Sequence, residues 1–303
     1  MKLRFLLPII GIILVSCQSE QTASEDKPTN LPRLEDYTLQ SQFIDDKTYS
    51  VYLPPSYNDS LSKNYPVLYL MDGQVQFGGK SPYSNASWNA HLISDSLIGI
   101  NEIREAILVG VHHADDRRFE EYMPQKPLDR MPKSETDSIR NKVEYTVFSD
   151  AFLKFLVKEL KPEIDKRYRT LPDVENTFIG GSSMGGLISM YATCDYPEVF
   201  GGAICMSTHW PISLEDSSPF VADEVVGYFE RTLPIGKKWY FDLGTEGLDK
   251  YYEKYQITID IIMKEKGYKR GVDWLTVKWH GHDHNEKYWN ERLSIPFKFF
   301  LKK

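Results

Sequence analysis

A serine in a glycine-rich turn is the residue of this sequence best suited to act as a nucleophile. Residues 176–191 read NTFIGGSSMGGLISMY, a short β-prone run followed by two glycines and then by apolar residues at helical spacing. This pattern predicts a strand, a tight turn and a helix. Residues 181–185 match G-x-S-x-G, the nucleophile elbow, which places Ser183 at the tip of the turn. A glycine- and serine-rich connection without a role in catalysis is the alternative interpretation of so short a motif.

The elements on either side of the turn would support acyl transfer. The glycines leave the strand and the helix room to close around a serine held in a strained backbone conformation. The helix dipole and the free N–H groups of its first turn then favour negative charge beside Ser183. We therefore expect the Met184 N–H to be one donor of an oxyanion hole, which stabilises the charge that develops on an ester carbonyl under attack.

A longer stretch makes the motif more specific. Residues 180–207 read GGSSMGGLISMYATCDYPEVFGGAICMS. They resemble the "Putative esterase" family of α/β-hydrolases, which includes enterochelin esterases, S-formylglutathione hydrolases, feruloyl and acetylxylan esterases, and mycolyltransferases. In that family a G-x-S-M-G-G elbow is followed by a helix, a Y-P-x-x-F turn and another strand ending in serine. The resemblance covers roughly residues 35–303 and implies an α/β-hydrolase catalytic domain.

The hydrophobic pattern also predicts an α/β fold, with a mostly parallel central sheet and helices on both faces. About 270 residues fit one domain with a single core. Strands are predicted at residues 48–53, 67–71, 106–111, 177–179, 202–206, 239–243 and 274–279. Helices are predicted at residues 88–97, 148–168, 184–194, 221–231, 250–267 and 286–301. Each catalytic candidate follows a strand, and in open α/β sheets ligands bind at the carboxyl ends of the strands.

The first residues predict export. Residues 1–17 read MKLRFLLPIIGIILVSC, with Lys2 and Arg4 before an apolar run too short to span a membrane as a helix. This segment is typical of a signal peptide, and its end has the form of a lipobox, so we expect Cys17 to be lipidated in a bacterial lipoprotein. A plain cleaved signal or an uncleaved anchor is the alternative. Residues 18–34 predict a flexible tether, which would hold the domain at a membrane, on its periplasmic or cell-surface side.

The net charge limits the possible binding partners, and the cysteine content limits the possible disulfides. A formal net charge of −7 and a pI near 5.6 argue against nucleic acid, because binding to phosphates needs a basic surface. Beyond Cys17 the sequence has only Cys194 and Cys205, which we expect to be two buried thiols rather than a disulfide.

A second oxyanion donor is expected after the strand at residues 67–71. In the resembled family the loop at this place supplies that N–H, and Gly73 would let the backbone turn it inward. The Gln74 N–H is the expected donor and the Gly73 N–H the alternative, although a simple Asp-Gly turn is also compatible with the sequence. Residues 74–88 are long, polar and glycine-bearing, and they predict a rim or lid over the site.

Four residues are candidates for the substrate pocket. After the strand at residues 106–111, the R-x-x-E-Y-x-P wording resembles a segment of the family and contains Arg118 and Tyr122. Both could contact substrate, or pair with carboxylates and anchor the loop. Trp88 in the predicted rim and His209 after the strand at residues 202–206 are further pocket candidates. Residues 125–141 predict a surface excursion.

The triad acid should follow the strand at residues 239–243, because α/β-hydrolases carry the order serine, acid, histidine. Family members commonly place the acid about three residues beyond a glycine. In this sequence the expected position of the acid is occupied by Gly247. The candidates are therefore Asp249, then Glu246, and last Asp242, which is predicted to lie inside the strand. Asp249 could also cap the following helix.

The histidine should lie in the loop after the last strand, which reads WHGHDHNE at residues 279–286. In the family this histidine precedes a tryptophan by five residues, and His284 and Trp289 have that spacing. A competing interpretation takes His280, His282 and His284 as zinc ligands, but zinc needs further converging ligands and the spacing is one residue short of the metallo-β-lactamase wording.

The predicted function is that of a serine esterase acting through an acyl-enzyme, with no cofactor. A small-molecule or glycan ester is the expected substrate, such as a feruloylated or acetylated glycan, a siderophore ester or a thioester. The alternatives are a ligand-binding lipoprotein that has lost catalysis on the same fold, and the zinc-dependent hydrolase just described.

Overall fold

The computed structural model describes residues 31–132, 146–212 and 219–303 and shows one eight-stranded sheet. Cys17, the signal segment and most of the predicted tether lie outside the described residues. The strand order is β1-β2-β4-β3-β5-β6-β7-β8. The strands are β1 (Leu34–Leu39), β2 (Lys47–Tyr52), β3 (Val67–Met71), β4 (Ile107–Val111), β5 (Thr177–Ser182), β6 (Gly202–Met206), β7 (Lys238–Gly244) and β8 (Trp274–Trp279).

The sheet is antiparallel at one edge and parallel elsewhere. β2 pairs antiparallel with both β1 and β4, whereas every pair from β4 through β3 and β5 to β8 is parallel. Parallel strands end at the same edge, so the loops after β3, β5, β6, β7 and β8 are brought together. This edge contains the candidate residues for catalysis.

Helices cover both faces of the sheet, which explains why its central strands are apolar throughout. The helices are α1 (Ala90–Gly99), α2 (Arg118–Tyr122), α3 (Gln125–Arg130), α4 (Ser149–Phe155), α5 (Lys161–Arg167), α6 (Met184–Asp195), α7 (Pro219–Thr232), α8 (Glu253–Glu265), α9 (Glu286–Arg292) and α10 (Ser294–Phe300). Val67, Tyr69 and Met71 of β3 join the core beneath α4 to α8, while Leu68 and Leu70 join the core beneath α1, α9 and α10. Successive side chains of a strand point to opposite faces, so β3 contributes to both cores.

Two predicted helices are interrupted at prolines. The helix expected at residues 148–168 contains a π turn, Leu156–Leu160, which ends two residues before Pro162. Proline has no N–H for the carbonyl four residues back, and the helix widens there without ending. The last predicted helix divides at Leu293 into α9 and α10, because Pro296 cannot bond the Arg292 carbonyl.

The predicted surface excursion at residues 125–141 is wrong in its first part. Residues 125–130 form α3, and Leu128 and Met131 are 4% and 7% exposed in the main core. Pro127 lies in the first turn of α3, where the missing N–H breaks no intrahelical bond. Residues 133–141 lie outside the described part. Cys194 and Cys205 are buried free thiols, as predicted. Within residues 31–132, 146–212 and 219–303, no helix has the length and apolar character needed to cross a membrane.

Candidate active site

Ser183 has the strained backbone expected of a nucleophile elbow. It lies between β5 and α6 with φ 56° and ψ −123°, and its N–H donates to the Met206 carbonyl at 2.9 Å. A Cβ on Gly181 would lie 2.7 Å from the Gly185 carbonyl carbon, so the turn closes only with glycine at this position. The strain is supported on both sides by β5 and α6 and leaves the serine partly exposed.

Asp249 and His284 form a buried hydrogen-bonded pair. His284 Nδ1 and Asp249 Oδ1 are 2.6 Å apart, and the Asp249 side chain is 0% exposed. Burial alone would raise the pKa of Asp249. The hydrogen bond and charge of His284, the Ser207 hydroxyl and the Gly244 N–H together hold the pKa below its ordinary value. An ionised carboxylate only accepts hydrogen bonds, so Nδ1 is the protonated nitrogen of the imidazole.

The other two acid candidates do not contact His284. Glu246 is exposed, and its carboxylate accepts from the neighbouring Thr245 hydroxyl at 3.2 Å. Asp242 lies inside β7, as predicted, and is 1% exposed. Asp249 begins a short 3₁₀ turn, Asp249–Tyr251, and the helix expected from residue 250 starts only at Glu253.

Gly247 occupies the position at which the family resemblance places the acid, and the space beside it is filled by another residue. Its φ is +55°, and a Cβ there would lie 1.6 Å from Asp283 Oδ1. The Asp283 carboxylate also accepts from the His284 N–H at 2.6 Å. Asp283 therefore fills the space where a side chain at position 247 would begin, and the carboxylate that reaches His284 comes from two residues later.

A chain of contacts connects the elbow with His284. The His209 N–H donates to the Ser183 carbonyl at 3.2 Å, and His209 Nδ1 is 2.5 Å from the Tyr252 hydroxyl. The ring of Tyr252 lies edge-on to both histidines, with centroid distances of 5.6 Å to each. Within the described residues, neither the Ser183 hydroxyl nor His284 Nε2 has a hydrogen-bond partner. Catalytic hydrogen bonds are often long without substrate.

The loop after β3 packs against the first turn of α6, at the place expected for an oxyanion hole. Asp72 has φ 59° and begins the 3₁₀ turn Gly73–Val75. A Cβ on Gly73 would lie 2.6 Å from the Gly110 carbonyl, and one on Gly185 would lie 2.9 Å from Asp72 Oδ2. Glycine at position 185 therefore permits the close approach of this loop to the helix that begins at Met184, and glycine at position 73 permits its close approach to β4.

Two sets of polar contacts hold this loop. Arg118 donates to both oxygens of Asp72, at 2.5 Å and 2.8 Å, and the Asp72 N–H donates to the Tyr122 hydroxyl at 3.2 Å. Burial alone would lower the pKa of Arg118, but the charge and hydrogen bonds of Asp72 raise it above its ordinary value. The Gln74 side chain exchanges two 3.1 Å hydrogen bonds with the His113 backbone.

The four expected pocket residues divide into two groups. Trp88 and Tyr122 are 1% and 0% exposed, so the expectation that they line a pocket is wrong. Trp88 packs on Trp289 with centroids 6.0 Å apart, and Tyr122 lies beneath Asp72. Large aromatic side chains lie more often in the core than on the surface. Trp88 and Tyr122 were expected in the pocket only because they are close to predicted loops. Arg118 and His209 remain partly exposed.

His209 is neutral. Burial, the neighbouring His284 and Arg118 lower its pKa to about 4. At neutral pH it therefore adds no positive charge near His284.

Sequence reasoning missed a buried polar cluster behind Asp249. It is formed by Ser207, Asp242, Trp289 and Arg292, with Arg292 0% exposed. Two signals could have indicated it. Asp242 interrupts an otherwise apolar strand, and Arg292 lies between Trp289 and Leu293 on the helical face that enters the core.

The three clustered histidines do not converge. His280 is exposed, while the His282 ring packs against Trp279 and Tyr288 at centroid distances of 5.3 Å and 4.7 Å. In the part of the chain that the structure describes, no group of three or more His, Cys, Asp or Glu side chains is arranged to hold a metal ion.

Comparisons with known proteins identify the family. The profile described as "Putative esterase" matches residues 41–296. The chain is 24% identical over 259 residues to the uncharacterized protein YbbA of Bacillus subtilis (strain 168), covering 83% of this chain and 91% of that protein. It is 31% identical over 180 residues to an endo-1,4-beta-xylanase/feruloyl esterase of Xylanibacter ruminicola, covering 56% of this chain and 21% of that protein.

Solved structures share the fold. A ferulic acid esterase superposes with a TM-score of 0.63 at 20% identity, covering 88% of this chain and 97% of that chain. The enterobactin esterase FES of Shigella flexneri superposes with a TM-score of 0.65 at 15% identity, covering 91% of this chain and 60% of that chain. The chain has the α/β-hydrolase fold and belongs to this esterase family, so its class is that of carboxylic ester hydrolases.

Proposed function

We propose that the chain is a serine esterase in which Ser183 is the nucleophile, His284 the general base and Asp249 the acid that orients it. The observation that carries this proposal is the 2.6 Å bond between His284 Nδ1 and Asp249 Oδ1 at the edge of the sheet where the elbow serine lies. With Nδ1 protonated, the lone pair of His284 is on Nε2, where it can accept the serine proton.

The reaction runs through an acyl-enzyme. Ser183 Oγ forms a bond with the carbonyl carbon while its proton passes to His284 Nε2. The N–H groups of Met184 and Gln74 stabilise the resulting oxyanion, with the Gly73 N–H as the alternative second donor. The C–O bond to the alcohol then breaks as His284 returns the proton to it. Water repeats both steps on the acyl group and releases the acid.

An uncharged ester with an aromatic or sugar component is the proposed substrate class. Arg118 Nε and Nη2 are bound to Asp72, whose negative charge offsets that of the guanidinium and so weakens its attraction for a substrate anion. On the predicted rim, Tyr83 is 95% exposed and offers an aromatic surface. One relative is named as a feruloyl esterase, which favours an acylated glycan. Another is the ferri-bacillibactin esterase BesA of Bacillus subtilis, so a siderophore ester is the second candidate.

The first experiment asks which residue reacts. The purified chain is assayed on p-nitrophenyl acetate, treated with a fluorophosphonate, and its adduct is mapped by peptide mass spectrometry. We expect one adduct on Ser183, and a fall in kcat of about 10⁴-fold or more in Ser183→Ala. Ser182→Ala is the matched control, because the neighbouring serine is buried at 2% exposure; it should keep both activity and adduct.

The contrary outcomes point to the other functions. Activity that survives in Ser183→Ala and is lost in EDTA would support a zinc site at His280, His282 and His284. A folded chain with neither activity nor adduct would indicate a binding protein on an esterase fold. A panel of methyl ferulate, an acetylated xylo-oligosaccharide and a catecholate trilactone then separates the substrate classes by kcat/KM.

We also propose that Cys17 anchors the enzyme to a membrane. The proposal rests on the lipobox and the polar segment that follows it. In a bacterial host, the wild-type chain should fractionate with membranes and incorporate labelled palmitate. Cys17→Ala should lose the label, and continued labelling would contradict the proposal.

A further inference from the structure

Ser207 occupies a strained and fully buried position directly behind Asp249. It follows the last residue of β6, is 0% exposed, and has φ 43°, a region that residues with a side chain rarely adopt. Its N–H donates to Asp242 Oδ1 at 3.0 Å. Strain of this kind persists where the surrounding contacts fix the residue, and it concentrates at functional sites.

The contacts of the Ser207 hydroxyl determine where its hydrogen points. A hydroxyl has one hydrogen to donate and two lone pairs that accept. Trp289 Nε1–H donates to Ser207 Oγ at 3.0 Å, and Arg292 Nη2–H donates to it at 2.9 Å. Neither group can accept a hydrogen bond. The hydrogen of Ser207 is thus directed to the remaining neighbour, Asp249 Oδ2, at 2.6 Å.

The two oxygens of Asp249 consequently have separate tasks. Oδ2 accepts from the Ser207 hydroxyl and from the Gly244 N–H, while Oδ1 accepts from His284. These three bonds prevent the carboxylate from rotating. The charged or titratable groups that interact with Asp249 within the described residues are His284, Arg292, Asp242, Tyr252 and His282.

Arg292 is shared between two carboxylates. Its guanidinium nitrogens are 3.5 Å from Asp242 Oδ1 and 3.5 Å from Asp249 Oδ2, beyond the length of a good hydrogen bond to either. Its closer contact is with the Ser207 oxygen. The hydroxyl therefore lies between the arginine and Asp249, and the short hydrogen bond to Asp249 Oδ2 comes from this neutral donor and not from the arginine.

We propose that Ser207 is a positioning residue for the triad acid, with its hydroxyl hydrogen directed at Asp249 Oδ2 by Trp289 and Arg292. This inference rests on the proposed function of Asp249. Without the hydroxyl oxygen, Arg292 and Trp289 lose a shared acceptor, and the arginine is free to move from 3.5 Å to hydrogen-bond distance of Asp249. That pairing would weaken the hold of Asp249 on His284.

The test compares two neighbouring buried hydroxyls in the full chain. Ser207→Ala removes only the oxygen, and we expect kcat to fall about 10- to 100-fold with KM within about twofold, since the hydroxyl does not touch substrate. Thr208→Val is the matched control. Thr208 is 1% exposed and its hydroxyl has no hydrogen-bond partner within the described residues, so both constants should stay within about twofold.

Two further measurements distinguish positioning from loss of structure. Ser207→Gly also lacks the hydroxyl, and glycine adopts a φ of 43° without strain, so it should fold and show the same loss of kcat. The proton shared by His284 Nδ1 and Asp249 Oδ1 should give a low-field line in the NMR spectrum. We expect that line to move or broaden in both Ser207 variants and to be unchanged in Thr208→Val.

The outcomes separate this inference from the proposed function. Folded Ser207 variants with parental kcat and an unchanged low-field line would overturn the positioning role, while Asp249→Asn could still show that the triad is correct. If Ser183→Ala also kept its activity, the proposed function itself would fail. A drop in kcat with no change in the low-field line would also contradict the inference, because the effect would then bypass His284.

Discussion

Two buried carboxylates lie on opposite sides of the elbow, and they are held in different ways. Asp72, after β3, accepts hydrogen bonds from Arg118 Nε and Nη2, so its charge is neutralised by a partner of its own. Asp249, after β7, is held by an imidazole, a hydroxyl and a backbone N–H, with Arg292 at 3.5 Å. The first arrangement fixes a loop.

The contacts around Asp249 fix the orientation of its carboxylate, and the negative charge of the carboxylate remains to act on His284. A direct bidentate arginine would satisfy Asp249 and reduce the field at the imidazole, whereas neutral donors orient the carboxylate without cancelling it. The position of the cation therefore distinguishes a structural carboxylate from one suited to catalysis. Three predictions test this comparison.

The largest effect is expected at Asp249. Asp249→Asn keeps the shape, but the Ser207 hydroxyl and the Gly244 N–H hold its amide oxygen at the Oδ2 position, so that its NH2 group faces His284. This group cannot accept the Nδ1–H of His284, and we expect kcat to fall about 10³- to 10⁴-fold with little change in KM. Glu246→Gln is the matched control and should stay within about twofold, because Glu246 is exposed and contacts only Thr245. Steady-state kinetics on one ester gives kcat and KM for both variants. A larger loss of kcat in Glu246→Gln than in Asp249→Asn would make Glu246 the triad acid.

A smaller effect is expected at the structural pair. Arg118→Met leaves Asp72 buried without its partner, so we expect a loss of about 2–3 kcal/mol in the unfolding free energy. We expect kcat/KM to fall about 10-fold through displacement of the Gln74 N–H. Urea unfolding and kinetics measure the two. Adding Asp72→Asn should restore part of the stability, since the unpaired charge is removed; a double variant less stable than Arg118→Met would argue against the pair as described.

The third prediction uses Asp242, which shares Arg292 with Asp249. Its pKa is shifted in the opposite direction from that of Asp249. Burial raises the pKa of Asp242 to about 6 from 3.8, although Arg292 and the Tyr240 hydroxyl act against burial. A carboxyl whose pKa rises on folding stabilises the protein fully below its unfolded pKa, and that contribution is lost as pH rises through the folded pKa. For Asp249, whose pKa is lowered, stability is instead lost as pH falls.

Asp242→Asn isolates this contribution, because an amide does not titrate. Each pKa unit corresponds to ~1.4 kcal/mol. We expect the unfolding free energy of the variant to gain about 3 kcal/mol relative to the parent between about pH 4 and about pH 7. Chemical denaturation at a series of pH values measures the difference. Parallel curves for the two proteins would show that Asp242 does not titrate in this range.

Most of the central sheet could be predicted from local pattern. The limits of β3, β6 and β8 agree with the prediction, because continuous apolar runs bounded by breakers are characteristic of strands covered on both faces. β1 was not predicted. Its residues are mostly exposed and polar, and it forms a strand because β2 offers an open edge, which is tertiary information.

The parts of the candidate site that could be predicted are those in which one loop contains a recognisable sequence motif. The elbow, the loop after β3 and the histidine loop each have a local motif. The cluster behind Asp249 joins positions 207, 242, 249 and 292, which only the fold brings together. The choice between Asp249 and Glu246 needed the same information, since both follow β7 within five residues of its end.

Gly247 has a consequence for comparing sequences across this family. The resemblance to the family places the acid three residues beyond Gly244, where this chain has glycine, and a rule based on that position alone would classify the chain as an inactive member. The structure shows the space at position 247 closed by Asp283 and a carboxylate on His284 supplied from Asp249. Searches for inactive homologues should therefore score whether any carboxylate reaches the histidine, instead of whether one occupies a fixed column.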